Sequence, residues 1–436
     1  MELQNVVLVD GVRSPFSRGG RGMFVATRLD ETAGTILRTL MERNPKVSPW
    51  MIEDIGLGNV QGVPELILIG ANIAARLAGL PLEVCSFDTN RQCGSSMETL
   101  HRITQSIMVG ATECGIALGV ERMGRGLGGV GDGRAPKNRV TETNKRLFQL
   151  TPEQRNLPPD HDQNFSVPFP DYILDSPSLV GMTQTAQNVA EIYNLSREEM
   201  DEFAVQSHKK CAEAYDKGIY KGEVIPLEVE KPVFDDEGNW LPDETGEMVL
   251  FDRDECLRPG TNIESLGQLN PIKGLQSYGD KEIVITAGNS CPTNDGVSAA
   301  LLMSEKKALE LKLEPLARIV GFGVAGVKPQ VMGLGPVPST KKALRHAGIT
   351  ADQIDRVEFN EAFAAQVIPS CKELGIPLEK VNVNGGSLAI GHPLGATGAR
   401  LVSTVAKELR RSGKRYGLAT QCIGAGMGIS TIIEAL

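Results

Sequence analysis

The chain opens on an apolar run, VVLVDG, and then alternates segments of helical hydrophobic spacing with short runs rich in β-branched residues. ETAGTILRTLMER reads as an amphipathic helix. Ser48 follows as an N-cap for a turn, and Ile52, Ile55 and Leu57 lead into a strand. METLHRITQSIMVGATECGIALG is a second helix with a strand behind it. The C-terminal region repeats both patterns at an offset of about 300 residues. GPVPSTKKALRHAGITADQIDRVEFNEAF has Thr350 where the first copy has Ser48, and Ile354, Val357 and Phe359 fill the strand run. ARLVSTVAKELRRSGKRYGLATQ answers to the second helix and strand. The pattern predicts an α/β core made of two copies of one layered unit.

Residues 122–280 follow another pattern. GRGLGGVGDGRAPKNRVTETNKR is glycine-rich and basic, and PPDHDQNFSVPFPDY is proline-rich. Only SREEMDEFAVQSHKKCAEAYDKG has clear helical period, with Ser196 as cap and Glu199 at the capping-box position. This stretch is expected to be an inserted loop domain, of the kind that commonly forms lids or binding surfaces. The expected division is then 1–121 with 281–310 as the N-terminal half, 122–280 as the insertion, and 311–436 as the C-terminal half.

Composition narrows the function. At 436 residues, 41% hydrophobic and 23% charged, the chain suits a soluble globular protein with a large core. A net charge of −9 opposes a nucleic-acid partner, which needs a basic face. No basic and apolar leader is seen at the N-terminus, and no apolar run reaches the length of a membrane span. The eight cysteines lack CxxC spacing, which points to reduced thiols in a cytoplasmic setting rather than a zinc site or disulfide frame. No GxGxxG follows the first strand and no GxxxxGK[ST] occurs, so nucleotide-cofactor chemistry is set aside.

Three residues sit among glycines and small residues, where backbone can approach a ligand. These are Cys93 in NRQCGSSMETL, His392 in GGSLAIGHPLGATG and Cys422 in QCIGAGMGIS. Cys93 stands at a helix start, which favours a thiolate, and is the nucleophile candidate. His392, alone among the five histidines in a glycine-rich turn, is a candidate base beside such a thiol. The turn after Cys422 would point amides at a ligand, and with the N–H of Cys93 these could form an oxyanion hole. Cys85, Cys114, Cys211, Cys256 and Cys371 read as small buried apolar side chains. His101, His208 and His346 read as surface or satisfied helix residues, and His161 as a loop residue.

Together with VDGVRSPF, ALGVERM, GMTQTAQNVAEIYNLSREEMDEF, DECLRPGTNIESLGQLNPI, TAGNSCPTNDGVSAALLMS, MGLGPVP and NEAFAAQ, these motifs resemble the thiolase family over essentially the whole chain. The resemblance implies reversible cleavage of a 3-oxoacyl-CoA by coenzyme A, or the reverse condensation, with coenzyme A as cosubstrate and no permanently bound cofactor or metal. It implies that His392 takes the proton of Cys93, that Cys93 carries the acyl group, and that Cys422 exchanges the proton at C2 of acetyl-CoA. Asn360 of NEAFAAQ would hold a water that, with His392, stabilises one thioester oxyanion. The N–H groups of Cys93 and Gly424 would hold the other. Met182, Ala287 and Cys291 fall along the expected CoA arm. Cys291 stands where many members carry a Ser or Thr hydroxyl, and Gly181 stands where short-chain members often have His.

The alternatives are a one-way condensing enzyme like the ketoacyl synthases, which lack the acid/base cysteine of CIGAGMG, and a non-catalytic acyl-CoA or lipid-binding protein, which should have lost one of Cys93, His392 or Cys422. All three are present. Candidate cations for the CoA phosphates are Lys209, Lys210, Lys217 and Lys221, with Arg134, Lys137 and Arg139. The resemblance also implies a homodimer or homotetramer.

Overall fold

The computed structural model describes residues 3–62, 64–66, 69–124, 161–176 and 181–436. Arg134, Lys137 and Arg139, nearly all of the glycine-rich stretch and the first three residues of the proline-rich one lie outside the described residues.

The strands are β1 (Val6–Arg13), β2 (Ser17–Arg18), β3 (Asp54–Gly58), β4 (Cys85–Thr89), β5 (Cys114–Arg122), β6 (Leu227–Glu230), β7 (Met248–Phe251), β8 (Asn294–Ser304), β9 (Ala317–Gly326), β10 (Arg356–Phe359), β11 (Tyr416–Ile423) and β12 (Met427–Ala435). A ten-stranded sheet runs β10-β11-β12-β9-β1-β8-β5-β3-β4, with β2 off this path on β8; β6 and β7 pair separately. The order is close to symmetric about the β9–β1 contact, which is only two residue pairs long, Val7 with Arg318 and Leu8 with Ala317. On either side the pairings match. β3 lies parallel to β5 as β10 does to β11, and β5 lies antiparallel to β8 as β11 does to β12.

Helices follow the same repeat. Leu29–Arg43 leads through a turn capped by Ser48 into β3, and Pro336–Ala347 leads through a turn with a Thr350–Gln353 capping box into β10. Ser95–Met108 precedes β5 and Leu394–Ser412 precedes β11. These last two helices pack on each other between the sheet halves. Met97, Leu100, Ile103 and Ile107 meet Leu401, Val402, Val405 and Leu409 in one cluster with Leu8, Ala300, Ile429 and Ile433. A Cβ on Gly398 would lie 2.3 Å from the Met97 nitrogen, so only glycine allows that close a crossing. Outer helices cover the remaining faces: Ile36, Leu37 and Leu40 on one side, and Val337, Leu344 and Val367 on the other. Burying this much apolar surface supplies the main driving force for the fold.

Between β5 and β8, the predicted helix is present as Arg197–Asp216, and the Ser196 hydroxyl accepts from the Glu199 N–H at 3.1 Å. A second long helix, Met182–Tyr193, lies beside it. Its period is hard to read because its buried face is largely polar. Gln184, Gln187 and Asn188 donate to the carbonyls of Gln276, Glu282 and Gln330. Among the described residues no helix is long and apolar enough to cross a membrane.

Candidate active site

Cys93 closes a sharp turn between β4 and the helix Ser95–Met108. The residue before it, Gln92, has φ of 47°, a left-handed conformation that costs a non-glycine residue free energy and clusters at functional sites. Ser95 secures the turn by accepting from the Arg91 N–H at 3.0 Å and donating to the Gln92 carbonyl at 2.6 Å. The Gln421 amide of the neighbouring half donates to the Cys93 carbonyl. Both the Cys93 N–H and the Gly424 N–H face the Cys93 sulfur and favour its thiolate, yet burial prevails and pushes the thiol up to about 11. At rest Cys93 is a protonated thiol.

Cys422 is the next-to-last residue of β11, and the β11–β12 turn that follows carries Ala425 at φ 67°. Burial raises its pKa well above the ordinary thiol value, repulsion from Cys93 adds to this, and the neighbouring Gln366 amide opposes it. Cys291 is raised mainly by burial and then by Cys93. Three thiols are therefore near enough for each to feel another's charge.

His392 is 2% exposed and sits on the second copy of the turn, just before Leu394–Ser412. Its N–H donates to Asn294 Oδ1 at 3.0 Å, its Nδ1 lies 2.6 Å from Thr397 Oγ1, and its Nε2 lies 3.3 Å from Asn360 Nδ2. Burial first, and then the Arg400 charge, lower its pKa to about 3, so the imidazole is neutral and can accept a proton. Glu121 spans the two halves: it accepts from the Val60 and Gln61 N–H groups and, at 2.8 Å, from that of Gly395. Burial raises it to about 7.

A cavity of about 1030 Å³ opens beside this cluster, with Ala287, Ser290, Cys291, Thr183, Phe363 and Leu388 in its wall. Cys93, His392 and Cys422 are not in the wall; Cys291 connects it to the other two thiols. Met182 packs partly buried in the apolar cluster that holds Cys422, Phe363 and Leu388. The cations in the wall are Arg18, Arg21 and Arg258, with His208 beside them.

The expected Lys209, Lys210, Lys217 and Lys221 do not line the cavity; Lys210 reaches the Val381 carbonyl and Lys217 pairs with Glu213. The cavity arginines come instead from β2 and the turn after it and from RPGT, which only the tertiary fold brings together. His208 and His101 are both buried, and Cys85 is exposed on the edge strand β4, against the reading of it as a buried side chain.

The family models for the thiolase N-terminal and C-terminal domains match residues 6–306 and 313–435. The 3-ketoacyl-CoA thiolase of Vibrio vulnificus (strain CMCP6) is 38% identical over 435 residues, covering 99% of this chain and 100% of that protein. The Bacillus anthracis acetyl-CoA acetyltransferase structure aligns with TM-score 0.80 and 32% identity over 100% of both chains. That of human mitochondrial 3-ketoacyl-CoA thiolase in complex with CoA aligns with TM-score 0.76 and 31% identity over 99% of this chain and 98% of that one. The chain belongs to the thiolase family and is an acyltransferase, a thiolase.

Proposed function

We propose that this thiolase cleaves 3-oxoacyl-CoA with coenzyme A to give acetyl-CoA and a shortened acyl-CoA, and runs the reverse condensation, through an acyl-Cys93 intermediate. The observation that carries this reading is a protonated Cys93 thiol under two backbone N–H groups, with a second buried thiol, Cys422, and a neutral His392 in the same core. His392 takes the Cys93 proton as the sulfur attacks the 3-keto carbon. The oxygen that gains charge is met by fixed donors, each worth roughly 3 kcal/mol in the transition state. The C2–C3 bond breaks, and Cys422 gives its proton to the acetyl-CoA enolate. The Cys422 thiolate then takes the proton of an incoming CoA thiol, whose sulfur attacks the acyl group. Cys93 leaves and recovers its proton from His392, so every group returns to its starting state.

Asn360, held beside His392, is the residue we assign to a water that shares the thioester oxyanion with the imidazole. Ala287 and Cys291 in the cavity wall, with Met182 packed nearby, would follow the pantetheine arm, and Arg18, Arg21 and Arg258 supply positive charge for the CoA phosphates. We retain the division into 1–121 with 281–310, 122–280 and 311–436, which the mirrored strand order supports. All eight cysteines are free, which supports a reducing, cytoplasmic setting. The open edge of β4 supports a homodimer or homotetramer, which sedimentation equilibrium would test against a monomer.

The direct test is thiolysis of 3-oxoacyl-CoA thioesters of graded length, with acetyl-CoA condensation run beside it. Turnover that extends beyond acetoacetyl-CoA is expected. Activity confined to acetoacetyl-CoA would remove the broader substrate class, and none on any length would remove the reaction.

A further inference from the structure

His392 ends a buried chain of hydrogen bonds that begins at a charge with only one possible polarity. Arg400, 2% exposed, is a guanidinium and can only donate. Its Nη1 donates to Glu358 Oε2 at 2.6 Å and its Nη2 to Ser387 Oγ at 2.9 Å. The Ser387 hydroxyl must send its own proton elsewhere, and the acceptor described for it is Asn360 Oδ1 at 2.6 Å. With Oδ1 so engaged, the other end of the Asn360 amide, Nδ2, faces His392 Nε2 at 3.3 Å. An NH₂ group donates, so Nε2 is the bare nitrogen.

The other side of the ring gives the same answer independently. Thr397 Oγ1 donates to the Pro393 carbonyl at 2.9 Å and so accepts from His392 Nδ1 at 2.6 Å. Nδ1 carries the proton. Ser387, Asn360 and Thr397 are all fully buried, so bulk solvent does not compete for these bonds.

We infer that Ser387 and Arg400 are positioning residues for the reaction: through Asn360 they lock His392 in the tautomer whose Nε2 lone pair can take the Cys93 proton. Glu358 completes the arrangement by holding the guanidinium. Burial drives the Glu358 carboxyl up to about 8, and the Arg400 charge opposes that shift. Without the Ser387 hydroxyl the Asn360 amide can turn over and present Oδ1 to Nε2, which favours a proton on that nitrogen and removes the base. The hydroxyl therefore acts two bonds away from the imidazole, and the inference rests on the assignment of His392 as the base.

The test combines a rate with a spectroscopic signature. Ser387→Ala is expected to lower kcat by roughly 10–100-fold, the usual cost of losing a group that orients a functional side chain. KM for the CoA thioesters should stay within about twofold, because uniform substrate binding is untouched. In an Asn360→Ala background the same substitution should have no further effect, since it acts only through that amide. Ser387→Thr, which keeps the hydroxyl, should recover most of the rate. Nitrogen-15 spectra of the histidine-labelled enzyme, with His392 assigned by comparison with His392→Asn, should show Nε2 unprotonated in the wild type and a shifted tautomer in Ser387→Ala.

An unchanged kcat in Ser387→Ala, an equal loss with and without Asn360, or a wild-type Nε2–H tautomer would each overturn the inference. The wild-type spectrum decides even where a variant does not fold. Turnover that survives His392→Asn would instead remove the base assignment itself, a distinct outcome.

Discussion

The Cys93 turn and the His392 turn stand at matching points of the two repeats, each just before a helix that packs against the other, yet they are held in different ways. At Cys93 the backbone is strained at Gln92, and the groups that favour the thiolate are two backbone N–H groups rather than side chains. At His392 the backbone strain is taken by a glycine, Gly391 at φ 106°, and the ring is bonded on both nitrogens. The difference follows from the chemistry. A nucleophile has to form and break a bond, so it must stay free of tight side-chain partners, whereas a base must return to one bare nitrogen at the start of every turnover. Duplication supplied the same scaffold twice, and the side chains around each turn specialised it.

The largest effect on this comparison is expected from Gly391→Ala. Gly391 has φ 106° and ψ 169°, a region almost closed to other residues, and a new Cβ would lie 2.4 Å from Asn294, whose Oδ1 anchors the His392 N–H. Denaturant unfolding should show a loss of at least about 1–3 kcal/mol, with turnover falling further than stability alone explains. At the other turn, Gln92→Gly relieves the left-handed strain and should change stability by no more than about 1 kcal/mol. If Gly391→Ala proved as mild as Gln92→Gly, the two turns would not divide strain and support as described.

A smaller effect concerns charge at rest. With Cys93 near 11 and His392 near 3, the pair is thiol and neutral imidazole at neutral pH. Iodoacetamide modification of Cys93 should therefore rise about tenfold per pH unit above neutrality and level off only towards about 11, because the thiolate is the reactive form. A plateau below pH 8 that vanished in His392→Ala would mean a resting thiolate–imidazolium pair, with His392 charged.

Much of this was legible in the chain. The repeat could be read because apolar spacing and turn caps, Ser48 and Thr350, recur in both copies, and the nucleophile and base turns could be read because glycine and small residues cluster there. What escaped was long-range or polar. Met182–Tyr193 hides its period because it buries glutamine and asparagine against backbone carbonyls, and only its likeness to the family's loop-domain helices marked it. The cavity arginines escaped because Arg18 and Arg258 are 240 positions apart and meet only in the folded chain. Glu121, Glu358 and Arg400 look like ordinary charges beside apolar runs, and nothing local marks them as buried.

The central claim is that Cys93 carries the acyl group and Cys422 moves the proton. The most direct measurement is intact-protein and peptide mass spectrometry after brief exposure to a 3-oxoacyl-CoA or to acetyl-CoA, with wild type, Cys93→Ser and Cys422→Ser compared. The account predicts a thioester adduct on the Cys93 peptide of the wild type, its absence from Cys93→Ser, and acetylation of Cys93 from acetyl-CoA in Cys422→Ser although turnover is lost. An adduct on Cys422 or Cys291 in place of Cys93, or normal turnover in either variant, would contradict it.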